Sequence, residues 1–176
     1  GAVIQWLRDE LKIINNAVET EEIAKSIDST NGVYIVPAFI GLGTPYWDMN
    51  SRGTISGITR GTNSSHLVRA SLESIAYQVY DLFTAVQLDM GSKSSILQVD
   101  GGASQNDFLM QFQADILNIK ISRPENIETT ALGVALLAGL FVEFWSSPDN
   151  FKNIVKTNKS FVPSISSKNR SLLLSG

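Results

Sequence analysis

Residues Leu97–Leu117 read LQVDGGASQNDFLMQFQADIL. The apolar run Ile96–Val99 ends in Asp100-Gly101-Gly102, a short polar turn follows, and apolar residues then recur at Phe108, Leu109, Phe112 and Ile116. That order predicts a strand, a glycine turn and a helix. With no Cβ at Gly101 and Gly102, the backbone can bend sharply and a flat ligand can lie close to it. Asn106 stands where the helix begins, and its side chain either caps the first amides or turns outward to a ligand. A helix N-terminus also offers free N–H groups and partial positive charge, which suit phosphate. The stretch reads either as an ordinary strand–turn–helix joint or as a ligand site at the carboxyl end of a strand, where α/β sheets bind their ligands.

On the N-terminal side, Ile4, Leu7 and Leu11 predict a helix over Val3–Ile14, and Glu21–Ile27 reads as a short second helix stopped by Asn31-Gly32. Val33–Phe39 reads as a buried strand ending near Pro37, Gly41–Gly53 as an ordered loop and Thr54–Ile58 as an extended segment. Asn63 and Ser64 supply capping chemistry for a long helix from about Ser65 to Met90, ended by Gly91. On the C-terminal side a strand is expected at Ile119–Ser122, closed by Pro124. A helix follows over Ala131–Trp145, whose small residues Gly133, Ala135, Ala138 and Gly139 would permit close packing on a neighbour. Pro148 opens a short amphipathic helix, Phe161-Val162-Pro163 looks extended, and residues 164–176 read as a polar tail after a domain over 1–163. Strands alternating with helices imply an α/β fold.

Composition narrows the partners. A net charge of −3 spread over both signs argues against a nucleic-acid or anionic-membrane surface and leaves small molecules open. With no cysteine, disulfides and thiolate metal sites are excluded, and a reducing compartment is permitted. The longest apolar stretch, Ala131–Trp145, is shorter than the roughly 20 residues a bilayer needs and contains Glu143. No signal peptide is read at the start, and the chain opens in a helical pattern as a fragment would.

A family resemblance rests on two further stretches. Gly53-x-Ile55-x-Gly57-Ile58, then seven residues, then His66-Leu67-x-x-Ala70-Ser71-Leu72-Glu73, fits the second signature of the FGGY carbohydrate kinases. VPAFIGLGTPYWD at Val36–Asp48 and the Asp-Gly-Gly stretch resemble the glycerol-phosphorylating branch of that family, whose sugar-specific members carry a Ser-Gly-Glu-Arg type sequence in the first place. The resemblance runs from Gly1 to about Pro163. It implies an α/β ribonuclease-H-like fold of the actin and hexokinase ATPase type, here the C-terminal domain without its first, antiparallel strands. It also implies ATP and Mg²⁺ as cofactors, glycerol held by a separate N-terminal domain, a cytoplasmic enzyme and a homo-oligomer. By the same resemblance the strand–Gly-Gly–helix unit is the adenosine motif, with Gly102 and Asn106 at adenosine, and GAVIQ is the helix over the adenine, with Gly1 and Gln5 as nucleotide contacts. The turn for the β- and γ-phosphates and the catalytic aspartate would lie upstream, so no catalytic residue and no metal ligand is assigned here. This chain alone is expected to be inactive. The competing readings are a pentulose or hexulose kinase of the same family and a stand-alone nucleotide-binding module.

Other candidates carry bland alternatives. Asp100 either orients Mg²⁺ through water or is a turn aspartate accepting backbone N–H bonds. His66, the sole histidine, sits in the first turn of the long helix and reads as a structural polar group, and Glu73 as its buried hydrogen-bonding neighbour. The Tyr46-Trp47-Asp48 cluster either pins its loop to the core or meets another domain or subunit.

Overall fold

A computed structural model describes residues 1–154 and 156–176. Helix α1 spans Ala2–Asp9 and buries Val3, Ile4 and Leu7 on one face. It stops short of the expected Ile14. The amide of Leu11 donates to Trp6 O, that of Ile13 donates to Leu7 O, and Lys12 turns through φ 55. Ile14 is therefore buried from a loop while Leu11 is left 38% exposed, although both fit the helical period. Helix α2, Glu19–Lys25, opens on Glu19, Glu21 and Glu22 and closes on Lys25, the charge order that suits a helix dipole.

Strand β1, Tyr34–Val36, pairs antiparallel with β2, Thr54–Ser56, with Ile35 opposite Ile55. Pro37 has no N–H for a ladder, which shortens the expected strand to three residues. The signature glycine Gly57 has φ +77, and a Cβ there would collide with the Gly32 carbonyl. Helix α3 runs Ser64–Met90. Asn63 Oδ1 accepts from His66 N while His66 Nδ1 accepts from Asn63 N, and Gly91 ends the helix at φ 62. His66 is thus a capping residue, as expected of a structural histidine.

Strand β3, Ile96–Gln98, leads through Gly101 and a 3₁₀ turn at Gly102–Gln105 into helix α4, Asp107–Leu117. Strand β4, Lys120–Pro124, lies parallel to β3, and β5, Thr157–Phe161, lies antiparallel on β4. The strands near Tyr34, Ile96 and Ile121 do not share one sheet. They fall into a two-stranded and a three-stranded sheet, with α3 packing β1 as well as α4. Among the described residues β3 has no partner on its other edge.

Helix α5, Thr129–Phe141, ends before the expected Trp145, whose ring folds back onto Gly139. Its apolar side chains find little cover: Leu136 is buried, but Val134, Leu137 and Phe141 are 65%, 64% and 88% exposed. A 3₁₀ turn at Pro148–Asn153 stands for the short helix expected there. The stretch read as a polar tail contains a helix. Helix α6, Ser167–Leu174, folds back on the core, with Arg170 Nε donating to Ile116 O at 2.7 Å and the Tyr34 hydroxyl donating to Leu173 O at 3.3 Å. Its apolar block Leu172–Leu174 is too short and too close to the end to read as a helix from sequence. No helix among the described residues is long and apolar enough to cross a membrane.

Candidate functional site

A cavity of about 470 Å³ gathers the residues singled out above. Helix α1 presents Gly1, Ile4, Gln5 and Arg8, because burying Val3 and Leu7 in the core leaves Gln5 and Arg8 at the rim. The approach to α2 and its first turn add Ala17, Val18, Thr20 and Glu21, and α3 adds Leu72 and Ile75. The glycine turn and the start of α4 add Gly102, Ala103, Gln105, Asn106 and Leu109. Gly1, Gln5, Gly102 and Asn106, far apart in sequence, therefore line one space.

The turn that carries Gly102 is held from below. Gly101 has φ 73, and its carbonyl accepts from the buried Ser104 hydroxyl at 2.7 Å. Arg123 donates to Ser104 O at 2.7 Å and to Asp107 Oδ1 at 2.9 Å. Lys159 donates to Asp107 Oδ2 at 2.5 Å. The bond from Lys159, the largest effect, holds the Asp107 carboxyl below its usual range; burial opposes it and the bond from Arg123 adds to it. Gly102 itself is exposed, and a Cβ on it would meet nothing within 4 Å. The protein thus has open space at the point where a flat ligand would approach the backbone.

Asn106 caps α4 rather than turning outward. Its Oδ1 accepts from Leu109 N at 2.9 Å, and its Nδ2 donates to the Thr20 hydroxyl at 3.1 Å. Glu21 Oε2 accepts from Asp107 N at 2.9 Å, and Glu21 Oε1 meets Lys25 Nζ at 2.5 Å. Two of the first amides of α4, those of Asp107 and Leu109, which the sequence offers to phosphate, are therefore taken by the protein's own side chains. Sequence reasoning passed over Thr20 and Glu21. The acidic opening of α2 was visible, but nothing in the chain links it to an asparagine 86 residues away.

Other expected residues lie elsewhere. Asp100, two residues past the end of β3, accepts from the Thr129 hydroxyl at the start of α5, and from no backbone amide among the described residues, and lines another cavity of about 440 Å³ with Ser122, Gly133 and Lys156. Glu73 is buried and accepts from Arg69 Nε at 2.8 Å. Its partner is thus Arg69, whose own fork also reaches the Ala24 and Ile27 carbonyls. Burial raises the Glu73 pKa and the arginine opposes that rise. Trp47 does not pin its loop to the core, being 73% exposed at φ 51. The loop is tied by the Tyr46 hydroxyl, which donates to Asp81 Oδ2 at 2.9 Å, and by Phe39 against Trp6 with ring centroids 5.6 Å apart.

A model of the FGGY family of carbohydrate kinases, C-terminal domain, matches residues 1–141. A glycerol kinase of Thermoanaerobacter sp. (strain X514) is 54% identical over 176 residues, which is 100% of this chain and 35% of that protein. A glycerol kinase of Shewanella sediminis is 56% identical over 168 residues, 96% of this chain and 34% of that one. The crystal structure of Plasmodium falciparum glycerol kinase with ADP superposes at a TM-score of 0.89 and 38% identity, over 99% of this chain and 35% of that one. A ligand-bound xylulose kinase from Lactobacillus acidophilus superposes at 0.80 over 99% of this chain and 35% of that one, but at 22% identity it speaks for the fold alone. The chain spans about a third of the length of the curated relatives it matches, 35% in the first case.

Proposed function

We infer that this chain, which belongs to the FGGY family of carbohydrate kinases as its C-terminal domain, supplies the adenine-nucleotide side of the interdomain cleft in a glycerol kinase, an ATP:glycerol 3-phosphotransferase. The observation that carries this reading is the convergence of Gly1, Gln5, Gly102 and Asn106 on one cavity. The glycerol kinases that match the chain, one of them solved with ADP, support both the nucleotide and the acceptor.

The residues divide the work. Ile4, Leu72, Ile75 and Leu109 give apolar walls for a flat base, and Gln5 at the rim can meet the base edge with its amide. Gly102 lets the ligand lie against the backbone. Asn106 holds the cavity wall, since its amide bonds to Leu109 and Thr20. In the whole enzyme the γ-phosphoryl group passes to a terminal hydroxyl of glycerol, and this chain orients its donor. Alignment of both reactants can contribute as much as about 7–11 kcal/mol, but only when both are held. On the family resemblance, the glycerol pocket, the base for the hydroxyl proton and the turn gripping the transferred phosphate belong to the part of the relatives this chain does not span.

No group of three or more His, Cys, Asp or Glu side chains suited to a metal is found among the described residues. Mg²⁺, which usually keeps waters and binds substrate phosphates, would enter with ATP, and no step is assigned to it through these side chains. We place the whole protein in the cytoplasm as a homo-oligomer. A pentulose or hexulose kinase is not favoured, because identity to those kinases is far lower. The test is a coupled ADP-release assay on the full-length protein with ATP, Mg²⁺ and glycerol, xylulose or gluconate. Glycerol is expected to give the highest kcat/KM, and a preference for xylulose or gluconate would overturn the acceptor assignment.

A further inference from the structure

The start of α4 has the makings of an anion site, and the protein fills it itself. A helix N-terminus carries about half a positive charge, and Lys25 adds a cation beside it. One carboxylate, Glu21, answers both: it accepts from Asp107 N at 2.9 Å and pairs with Lys25 at 2.5 Å. Its side chain is 21% exposed and lines the cavity. It is fixed there by its neighbour Thr20, which is 1% exposed, donates its hydroxyl to Ala17 O at 2.6 Å and accepts from Asn106. Lys25 lies behind Glu21, outside the cavity lining, and the cation that does line the cavity, Arg8, is paired with Asp9 at 2.6 Å.

Resting on the nucleotide reading above, we propose that Glu21 is a positioning residue that makes this end of the cavity take the uncharged nucleoside end of a nucleotide and reject its phosphates. By neutralising the helix terminus and Lys25, it removes the nearest alternative seat for a phosphate group. ATP then has one favourable orientation, with the base among the apolar walls and the phosphates pointing away from α4. Without the carboxylate, phosphates would be drawn to the same place and bind ATP in an unproductive direction.

The experiment uses the full-length protein and inorganic pyrophosphate as the probe. Glu21→Gln keeps the side chain's shape and an acceptor for Asp107 N but removes the charge. It should strengthen competitive inhibition by pyrophosphate by about fivefold, the size of a helix-terminus charge effect, and lower kcat and the KM for ATP together by up to the same factor, because ATP held in the unproductive direction occupies part of the enzyme even at saturation. The ratio kcat/KM should stay within about twofold of wild type, since it reports only on free enzyme and the productive transition state. The double variant Glu21→Gln/Lys25→Gln should return pyrophosphate inhibition toward wild type, a reversal that a merely structural role would not produce. Unchanged pyrophosphate inhibition in Glu21→Gln, with only stability or kcat altered, would overturn the proposal. Should Glu21→Gln be insoluble, Glu21→Ser removes the same charge: stronger pyrophosphate inhibition supports the proposal and unchanged inhibition overturns it. Gly102→Leu separates the two readings. If it leaves the ATP KM unchanged, the nucleotide reading itself fails; if it raises KM while Glu21→Gln does nothing, only the role of Glu21 fails.

Discussion

Asn106 donates its side-chain amide to the Thr20 hydroxyl at 3.1 Å, across 86 residues of sequence, and so fastens the start of α4 to the first turn of α2. The same asparagine caps Leu109 N. Asn106→Ala should therefore lose a helix cap and strand the buried Thr20 hydroxyl without its donor. A loss of about 1–2 kcal/mol in urea unfolding of the full-length protein is expected, with a raised KM for ATP. Asn106→Ser, which keeps a cap but cannot reach Thr20, should recover part of the stability.

The Asp107 cluster predicts an acid effect. The carboxyl is held below its ordinary range chiefly by the hydrogen bond from Lys159; burial opposes it, and the bond from Arg123 adds a lesser lowering. A folded pKa below the unfolded one gives stability that is fully present above the unfolded value, about pH 4, and is lost as pH falls through the folded pKa. Asp107→Asn should cost about 1 kcal/mol at pH 7, as expected for partly exposed pairs. The difference from wild type should shrink below about pH 4. A gap in Tm that stays constant down to the acid transition would show that the pairing does not matter.

Gly57 and Gly91 make a contrasting pair. Both have positive φ, +77 and +62, but a Cβ at Gly57 collides with the Gly32 carbonyl while one at Gly91 meets nothing within 4 Å. Gly91→Ala should cost only the left-handed backbone penalty, about 1–2 kcal/mol. Gly57→Ala should cost more, because backbone must shift as well. Equal losses in chemical denaturation would remove the steric reason for this signature glycine.

The edge of β3 that has no partner among the described residues and the exposed Val134, Leu137 and Phe141 of α5 bear on the isolated chain of 176 residues. Unpaired edges and apolar patches of this kind invite association. Analytical ultracentrifugation of the chain alone should show self-association and a low or broad thermal transition. A monomer with a sharp, high transition would contradict this. The same preparation should show no glycerol-dependent ADP release, since loss of a general base alone costs about 10²–10⁴-fold.

Much of the fold was legible because its signals are local. Asn63 and Gly91 bracket α3, and the Gly-Gly turn stands between β3 and α4, as their chemistry dictates. Of the candidate site, the motif residues Gly1, Gln5, Gly102 and Asn106 were legible, and the fold brings them to one cavity. The rest was hidden in long-range contacts. Ile14 fits a helical period but is buried by a loop, Leu172–Leu174 gain meaning only against Ile116 and Tyr34, and Glu21 matters only because α4 begins beside it. Asp100 bonded to Thr129, and Trp47 left exposed, likewise depend on neighbours that no local pattern names.

The central claim, that a nucleotide lies against Gly102, is tested most directly by ADP titration calorimetry on full-length wild type and Gly102→Leu. A Cβ at Gly102 meets nothing within 4 Å, so the substitution reports on the ligand rather than on packing. The account predicts unchanged Tm without ligand and ADP binding weakened by at least about tenfold, the equivalent of roughly 1.4 kcal/mol. Equal ADP affinity in the two folded proteins would contradict it.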